Sequence, residues 1–571
     1  MKVIIVGGVA GGASCAARLR RLDEKAEILI VERGPYVSYA NCGLPYHVGG
    51  VIQKESKLLI ASEQTFRGQF NIDVLTNHEV IGISPKEKSV QIRNGISGEV
   101  TTHTYDKLVL SPGAVSVRPP LPGIDLPGIF HVRTVPDARE IVAWIERDNP
   151  LLAGMNTYSG FQTMRPKPRG VVIGGGFIGL EMAENLIHRG FDVTLVEMAD
   201  QVLLPLDKEN AHMVEAYMKM HGMYIALSDG VSGFSAGENK TIQVETKSGK
   251  QYTADLVILA IGVRPDTTLA RMAGLEIGER GGIRVDEHMR TSDPDIFAVG
   301  DAVEVKDFVT GEWSLIALAG PANRQGRIAA DVIAGRDSRF RGTQGTAIIG
   351  LFGCAAAWTG ASEKTLKRIG DTDYEKIYYY PNSHAGYYPG AKLMAIKVLF
   401  RKSNGRLLGA QALGTDGVDK RIDVFATMIQ LGATIYDLEE AELCYAPQFG
   451  SAKDPVNFAG MIAADILRGD LPLTHWHDAR EGFILDVRDP LELMLEHFDG
   501  AVNIPLNQLR SRLDELPRDR EINVMCRSGQ RAYYATRILM QNGFRVKNIS
   551  GGMLSLTHNY LLGMEGYESM N

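Results

Sequence analysis

Five cysteines stand in the 571 residues, at positions 15, 42, 354, 444 and 526, with no CxxC pair among them. An odd, widely spaced set forms neither a disulfide framework nor a zinc ribbon. It points to a reducing, cytoplasmic setting in which any reactive thiol acts singly. Two cysteines have reactive surroundings. Cys526 ends the apolar run Ile522-Asn-Val-Met and is followed by Arg-Ser-Gly-Gln-Arg531. A strand that ends on a cysteine, with a short loop opening a helix, aims several backbone N–H groups at one sulfur. Loop amides, helix dipole and Arg531 are then expected to lower the pKa of that thiol. Cys42 lies in Ser38-Tyr-Ala-Asn41-Cys42-Gly-Leu-Pro-Tyr46, a segment with no second cysteine, so a partner sulfur has to arrive with substrate. Cys15 on an alanine-rich helix face, Cys354 beside Ala355–Ala357, and Cys444 read as core cysteines.

The elements that would position these thiols follow from the apolar runs. Lys2 to Val6 is a strand that ends in glycines, a helix follows around Ala13 to Leu22, and a second strand, Ala26 to Val31, ends on Glu32. The same βαβ layout returns at Gly170 to Ile173, Leu180 to Arg189 and Asp192 to Val196, ending on Glu197. Two such units predict parallel sheets buried on both faces. Gly174, Gly176 and Gly179 fit G-x-G-x-x-G: a tight turn, room for a pyrophosphate at the helix N-terminus, and close helix–strand packing. Glu197 suits a ribose diol and repels a 2′-phosphate, which favours NADH. In the first unit Gly7 and Gly12 hold the outer positions, but Val9 stands in the middle slot. The turns Ser111-Pro112-Gly113 and Ile261-Gly262 resemble each other, and Met394 to Phe400 with Leu407 to Leu413 reads as an antiparallel hairpin. The stretch Ala153 to Pro168 reads as a loop. Net charge is −7, which gives no general attraction to nucleic acid or an acidic membrane surface. No apolar run is long enough to span a bilayer, and the N-terminus lacks a signal-peptide layout.

The strand ending in Gly300-Asp301 resembles the second flavin motif of proteins with two dinucleotide sites. With the glycine turns, it makes residues 1 to 455 similar to the pyridine nucleotide–disulfide oxidoreductase family. That resemblance implies FAD on Gly7, Val9, Ala10, Gly11, Gly12, Glu32, Arg33, Ser111, Pro112, Gly113, Gly300 and Asp301. It places NADH on Gly174, Gly176, Gly179, Glu197 and Gly262, and it implies a C-terminal dimerisation domain. Many members carry a second cysteine five positions on, where this chain has His47. The segment around Cys42 and the Val9 turn are most similar to coenzyme A-disulfide reductases. Ser14, Arg18, Arg21, Ser38 and Asn41 are then implied as coenzyme A contacts, and guanidinium groups suit its phosphates. Tyr445 and one of Tyr387 and Tyr388 are implied to reach the partner subunit's cysteine, hydrogen-bond its sulfur and protonate a leaving thiolate. Related NADH oxidases and peroxidases usually carry a histidine where this chain has Ala10, which weighs against peroxide chemistry.

Phe483-Ile-Leu-Asp-Val-Arg488, Gly500-Ala-Val-Asn-Ile-Pro505 and the C-x4-R loop of Cys526 together resemble a rhodanese domain, whose cysteine carries sulfane sulfur. The expected organisation is α/β throughout. FAD-binding parts span 1–150 and 255–328, and an NADH-binding domain spans 151–254. An α+β dimerisation domain over 329–455, a linker over 456–474 and a rhodanese-like domain over 475–571 complete it. The combination implies a homodimeric, NADH-dependent reductase of coenzyme A persulfide, polysulfide or coenzyme A disulfide. Cys526 would be fed by a small molecule or a protein sulfur donor. The alternatives are a sulfur-trafficking protein with a thiol-resetting flavin half, and an NADH oxidase or peroxidase.

Overall fold

In a computed structural model the chain is described over residues 1–148 and 167–560. Residues 153–166 of the expected loop lie outside that range. Two units divide the chain: Met1–Val202 with Lys219–Gly345, and Leu203–Met218 with Thr346–Asn571.

The first unit holds two five-stranded parallel sheets. One runs Ile296–Ala298, Lys107–Leu110, Lys2–Val6, Glu27–Val31, Asp73–Leu75. The other runs Tyr224–Ala226, Asp192–Val196, Arg169–Ile173, Leu256–Leu259, Ile129–Phe130. Both central strands are buried along nearly their whole length, as continuous β-branched runs covered on two faces must be. The helices after them, Ala10–Arg20 and Phe177–His188, begin three residues earlier than periodicity suggested. Glycines are poor helix formers, but tertiary packing overrides that here. A Cβ at Gly12 would lie 1.9 Å from the carbonyl oxygen of Gly7, and one at Gly179 1.9 Å from that of Gly174. Only a bare Cα lets either helix start that close to its strand. The two similar turns also meet: Ala114–Ser116 pairs antiparallel with Val263–Pro265.

In the second unit the sheet order is Ala347–Leu351, Cys354–Gly360, Leu407–Gly414, Ala395–Phe400, Glu375–Tyr379, antiparallel throughout. It contains the expected hairpin. Lys397, fully buried on this sheet, sets its ammonium 2.9 Å from Asp207, 2.5 Å from Glu209 and 2.9 Å from Glu363. Burial alone would strip that charge, but the three carboxylates hold the Lys397 pKa well above its ordinary value.

The expected linker over 456–474 is corrected. Pro455–Arg468 is a capped helix with Val456, Ala459, Ala463 and Ala464 buried. Leu473–Thr474 is already the edge strand of the last sheet, ordered Leu473–Thr474, Val546–Ile549, Ile522–Met525, Phe483–Asp486, Val502–Asn503. The two parts of this unit are stitched by polar contacts. Tyr378 N donates to Ser550 Oγ at 3.0 Å, and His475 Nε2 lies 3.2 Å from Glu375.

Candidate functional site

Cys42 sits on the single turn Asn41–Gly43, just ahead of the short helix Leu44–Val48, and is exposed. Ser38, four residues earlier, adopts φ +51°, a left-handed conformation that sharply bends the approach. Although the residue reaches the surface, the protein packed around its sulfur raises the Cys42 thiol pKa. The charges of Glu181 and Asp301 raise it further. Glu181, on the helix Phe177–His188, accepts from Tyr46 at 3.2 Å. Burial, joined by the neighbouring Glu184, pushes its carboxyl up to about 7. Asp301 is paired in turn with Arg133 at 3.2 Å.

The two glycine turns are built alike. Glu32 accepts from Gly8 N at 2.9 Å and Gly34 N at 2.8 Å; Glu197 accepts from Gly175 N at 2.5 Å and Ala199 N at 2.7 Å. Each acid ties its strand end to the turn and retains lone pairs for a ribose. A Cβ placed on Gly176 would meet nothing within 4 Å, whereas its neighbours in the fingerprint are hemmed in by backbone. Open space at the middle position and close backbone at the outer ones is the cradle a pyrophosphate fits. Gly300 N donates to the buried Gln325 at 2.7 Å, while Arg33 reaches Asp266 at 3.1 Å. The helix Ala319–Ile333 lies along Ala10–Arg20 and claims two implied coenzyme A contacts. Ser14 Oγ donates to Asn323, and Arg18 Nε donates to Asp331 at 2.7 Å. Arg21 is exposed, and Asn41 and Ser38 are half-buried.

In the second unit, Tyr387 and Tyr445 share a hydrogen bond of 2.7 Å between their hydroxyls, and both rings are exposed. Tyr388 instead stacks edge-on against His384 at 5.7 Å. Cys444, next in sequence to Tyr445, is exposed, and Cys354 is only half-buried; the core assignment holds for Cys15, whose burial pushes its thiol up to about 12.

Cys526 is 1% exposed, at the end of the strand Ile522–Met525. Gly529, at φ +95°, turns its N–H onto Cys526 Sγ at 3.2 Å and starts the helix Gln530–Gln541. Met553 N and Leu554 N pin the loop from behind, donating to the Cys526 and Arg527 carbonyls at 2.8 and 2.9 Å. The two terminal nitrogens of Arg531 donate to Glu492 at 2.6 and 2.8 Å, so the charge that also acts on Cys526 is shared with a carboxylate.

The family model described as pyridine nucleotide-disulphide oxidoreductase matches residues 1–326. The chain belongs to that family. The family's dimerisation domain matches residues 347–454, and a rhodanese-like domain matches 473–558. Over 98% of both chains, the structure resembles that of reduced Bacillus anthracis CoADR-RHD, at 47% identity and TM-score 0.92. It also resembles an NAD-dependent persulfide reductase from A. fulgidus, at 37% identity and TM-score 0.87, over 97% of this chain and 100% of that one. Among curated relatives, an NADH oxidase of Methanocaldococcus jannaschii is 35% identical over 80% of this chain and 98% of its own. A coenzyme A disulfide reductase of Staphylococcus haemolyticus is 33% identical over 81% and 100%.

As a member of this oxidoreductase family the chain is a flavin-dependent enzyme that uses FAD and NADH. Sequence reasoning missed Glu181, Arg133, Gln325 and Glu492. Glu181 stands two residues beyond Gly179, so its nearness to the flavin-side cysteine was there to be suspected. Arg133, Gln325 and Glu492 pair across 168, 25 and 39 residues, with no local signal at all.

Proposed function

We propose that this enzyme reduces sulfane-sulfur substrates, namely coenzyme A persulfide, polysulfide and coenzyme A disulfide, through Cys42 alone, and that Cys526 supplies or relays the sulfur. The observation that carries the reading is the presence in one chain of two unpaired thiols in two separately built settings. One is exposed beside carboxylates, and the other is buried under a loop amide. Gly7, Gly12, Glu32 and Asp301 would hold FAD, which when bound would supply the chemistry that carries the two electrons of NADH to Cys42. The Cys42 thiolate attacks the inner sulfur of a coenzyme A persulfide, forming a Cys42–S–S–CoA bond and releasing HS⁻. Two electrons then cleave that bond to a Cys42 thiolate and a coenzyme A thiolate, which takes up one proton. Glu181, ionising near neutrality beside Cys42, is suited to hold and return a proton there. With Ser14 and Arg18 already partnered inside the chain, Arg21, Ser38 and Asn41 are left as the principal coenzyme A contacts.

A homodimer accounts for the exposed Tyr387–Tyr445 pair, whose joined hydroxyls form a donor ready for a partner subunit's sulfur. Five free cysteines suit a reducing compartment. Steady-state NADH oxidation with coenzyme A persulfide, coenzyme A disulfide, polysulfide and peroxide tests the whole reading. Cys42→Ser is expected to lose persulfide turnover by about 10³-fold or more. Retained turnover in that variant sinks the proposal.

A further inference from the structure

We propose that Glu492 sets the class of sulfur donor at Cys526: by neutralising Arg531 it turns the loop away from dianionic thiosulfate and toward sulfane sulfur carried on a thiol. This rests on reading Cys526 as a sulfur carrier. The donors open to a buried thiolate fall into two electrostatic classes. Attack on thiosulfate forms the Cys526 S–S bond, breaks the bond to the sulfonate, and expels sulfite with its electron pair. Two negative charges must then be held next to a thiolate. Attack on an organic persulfide forms the same bond and expels only a thiolate.

The charges around the loop match the second class. Arg531 is joined to Glu492 through both terminal nitrogens, at 2.6 and 2.8 Å, with Asp489 a further 3.8 Å away. This bidentate geometry is the strongest a guanidinium makes with a carboxylate, so an anion there must compete with Glu492 for the charge of Arg531. Arg488 is buried against Asp486 at 2.7 Å and offers nothing outward. Arg527 is exposed, where solvent screens it. What remains for the incoming donor is the Gly529 N–H and its neighbours at the start of the helix, partial charges suited to one thiolate. The side chains flanking Glu492 are apolar and exposed: Leu491, Met494 and Leu495. They add no cation.

The test follows Cys526 persulfidation in the full-length enzyme by mass spectrometry, with thiosulfate and with glutathione persulfide as donors. Wild type is expected to react with thiosulfate at least about tenfold more slowly than with the persulfide. Glu492→Gln keeps the shape and one hydrogen bond. It is expected to raise the thiosulfate rate at least about fivefold at low ionic strength, with most of the gain lost in 1 M salt, and to change the persulfide rate less than about twofold. Persulfide labelling of that same variant reports that its loop is folded. Arg531→Gln, which uncovers the Glu492 charge, should fall below wild type with thiosulfate. Equal gains for both donors, or no gain with thiosulfate, overturn the proposal while leaving Cys526 a sulfur carrier. Labelling by neither donor in wild type overturns the carrier reading as well.

Discussion

The balance at Cys42 turns on single charges. Its thiol is raised by burial, then by the charges of Glu181 and Asp301. Glu181 itself is raised to about 7. Below that pH it is protonated and no longer opposes the thiolate; above it, its charge does. Glu181→Gln is neutral at every pH, so the thiolate should form at lower pH than in wild type. Alkylation of Cys42 by iodoacetamide as a function of pH checks this: the midpoint should move down, and an unmoved midpoint would refute the coupling. The tyrosines give a second prediction at this scale. Because Tyr387 and Tyr445 share one hydrogen bond, Tyr387→Phe and Tyr445→Phe should each slow turnover, and the double variant should lose less than the sum of the two in free energy. Tyr388→Phe should leave the rate near wild type. The motif at Cys42 was legible because it is contiguous, and a choice between Tyr387 and Tyr388 was not. Adjacent residues share one sequence context, and only the fold turns one of them toward Tyr445.

At the level of elements, the glycine turns and their carboxylates were readable because strand, turn, helix and acid lie within about thirty residues. The close approaches make that reading testable. Gly179→Ala forces a Cβ into the Gly174 carbonyl, and about 2 kcal/mol or more of stability should go with it, together with NADH affinity. Thermal melting and NADH titration measure the two. Gly12→Ala should do the same to FAD retention. The helix Pro455–Arg468 was misread as linker although its Asp454-Pro455 start and its alanine-rich apolar run are helix signals. Buried charge was equally invisible. Lys397 reads as one lysine in an apolar strand, yet its ammonium is ion-paired with three acids from two distant segments. Lys397→Met should cost about 3–5 kcal/mol in chemical denaturation, since it leaves buried carboxylates uncompensated.

For the molecule as a whole, the domain order was legible because each domain carries its own local signature. The contacts between neighbouring domains were not, since they join residues as far apart as Tyr378 and Ser550. Cys526→Ser should abolish turnover of polysulfide and spare that of coenzyme A persulfide if the last domain feeds Cys42; NADH oxidation with each substrate separates the two. The stitching of that domain to the antiparallel sheet has a consequence for limited digestion. The sequence between Arg468 and Leu473 is short, but it is not what holds the two parts together: Tyr378 with Ser550 and Glu375 with His475 do that. A protease nick after Arg468 should therefore leave one particle on a sizing column, two polypeptides on a denaturing gel, and a single melting transition.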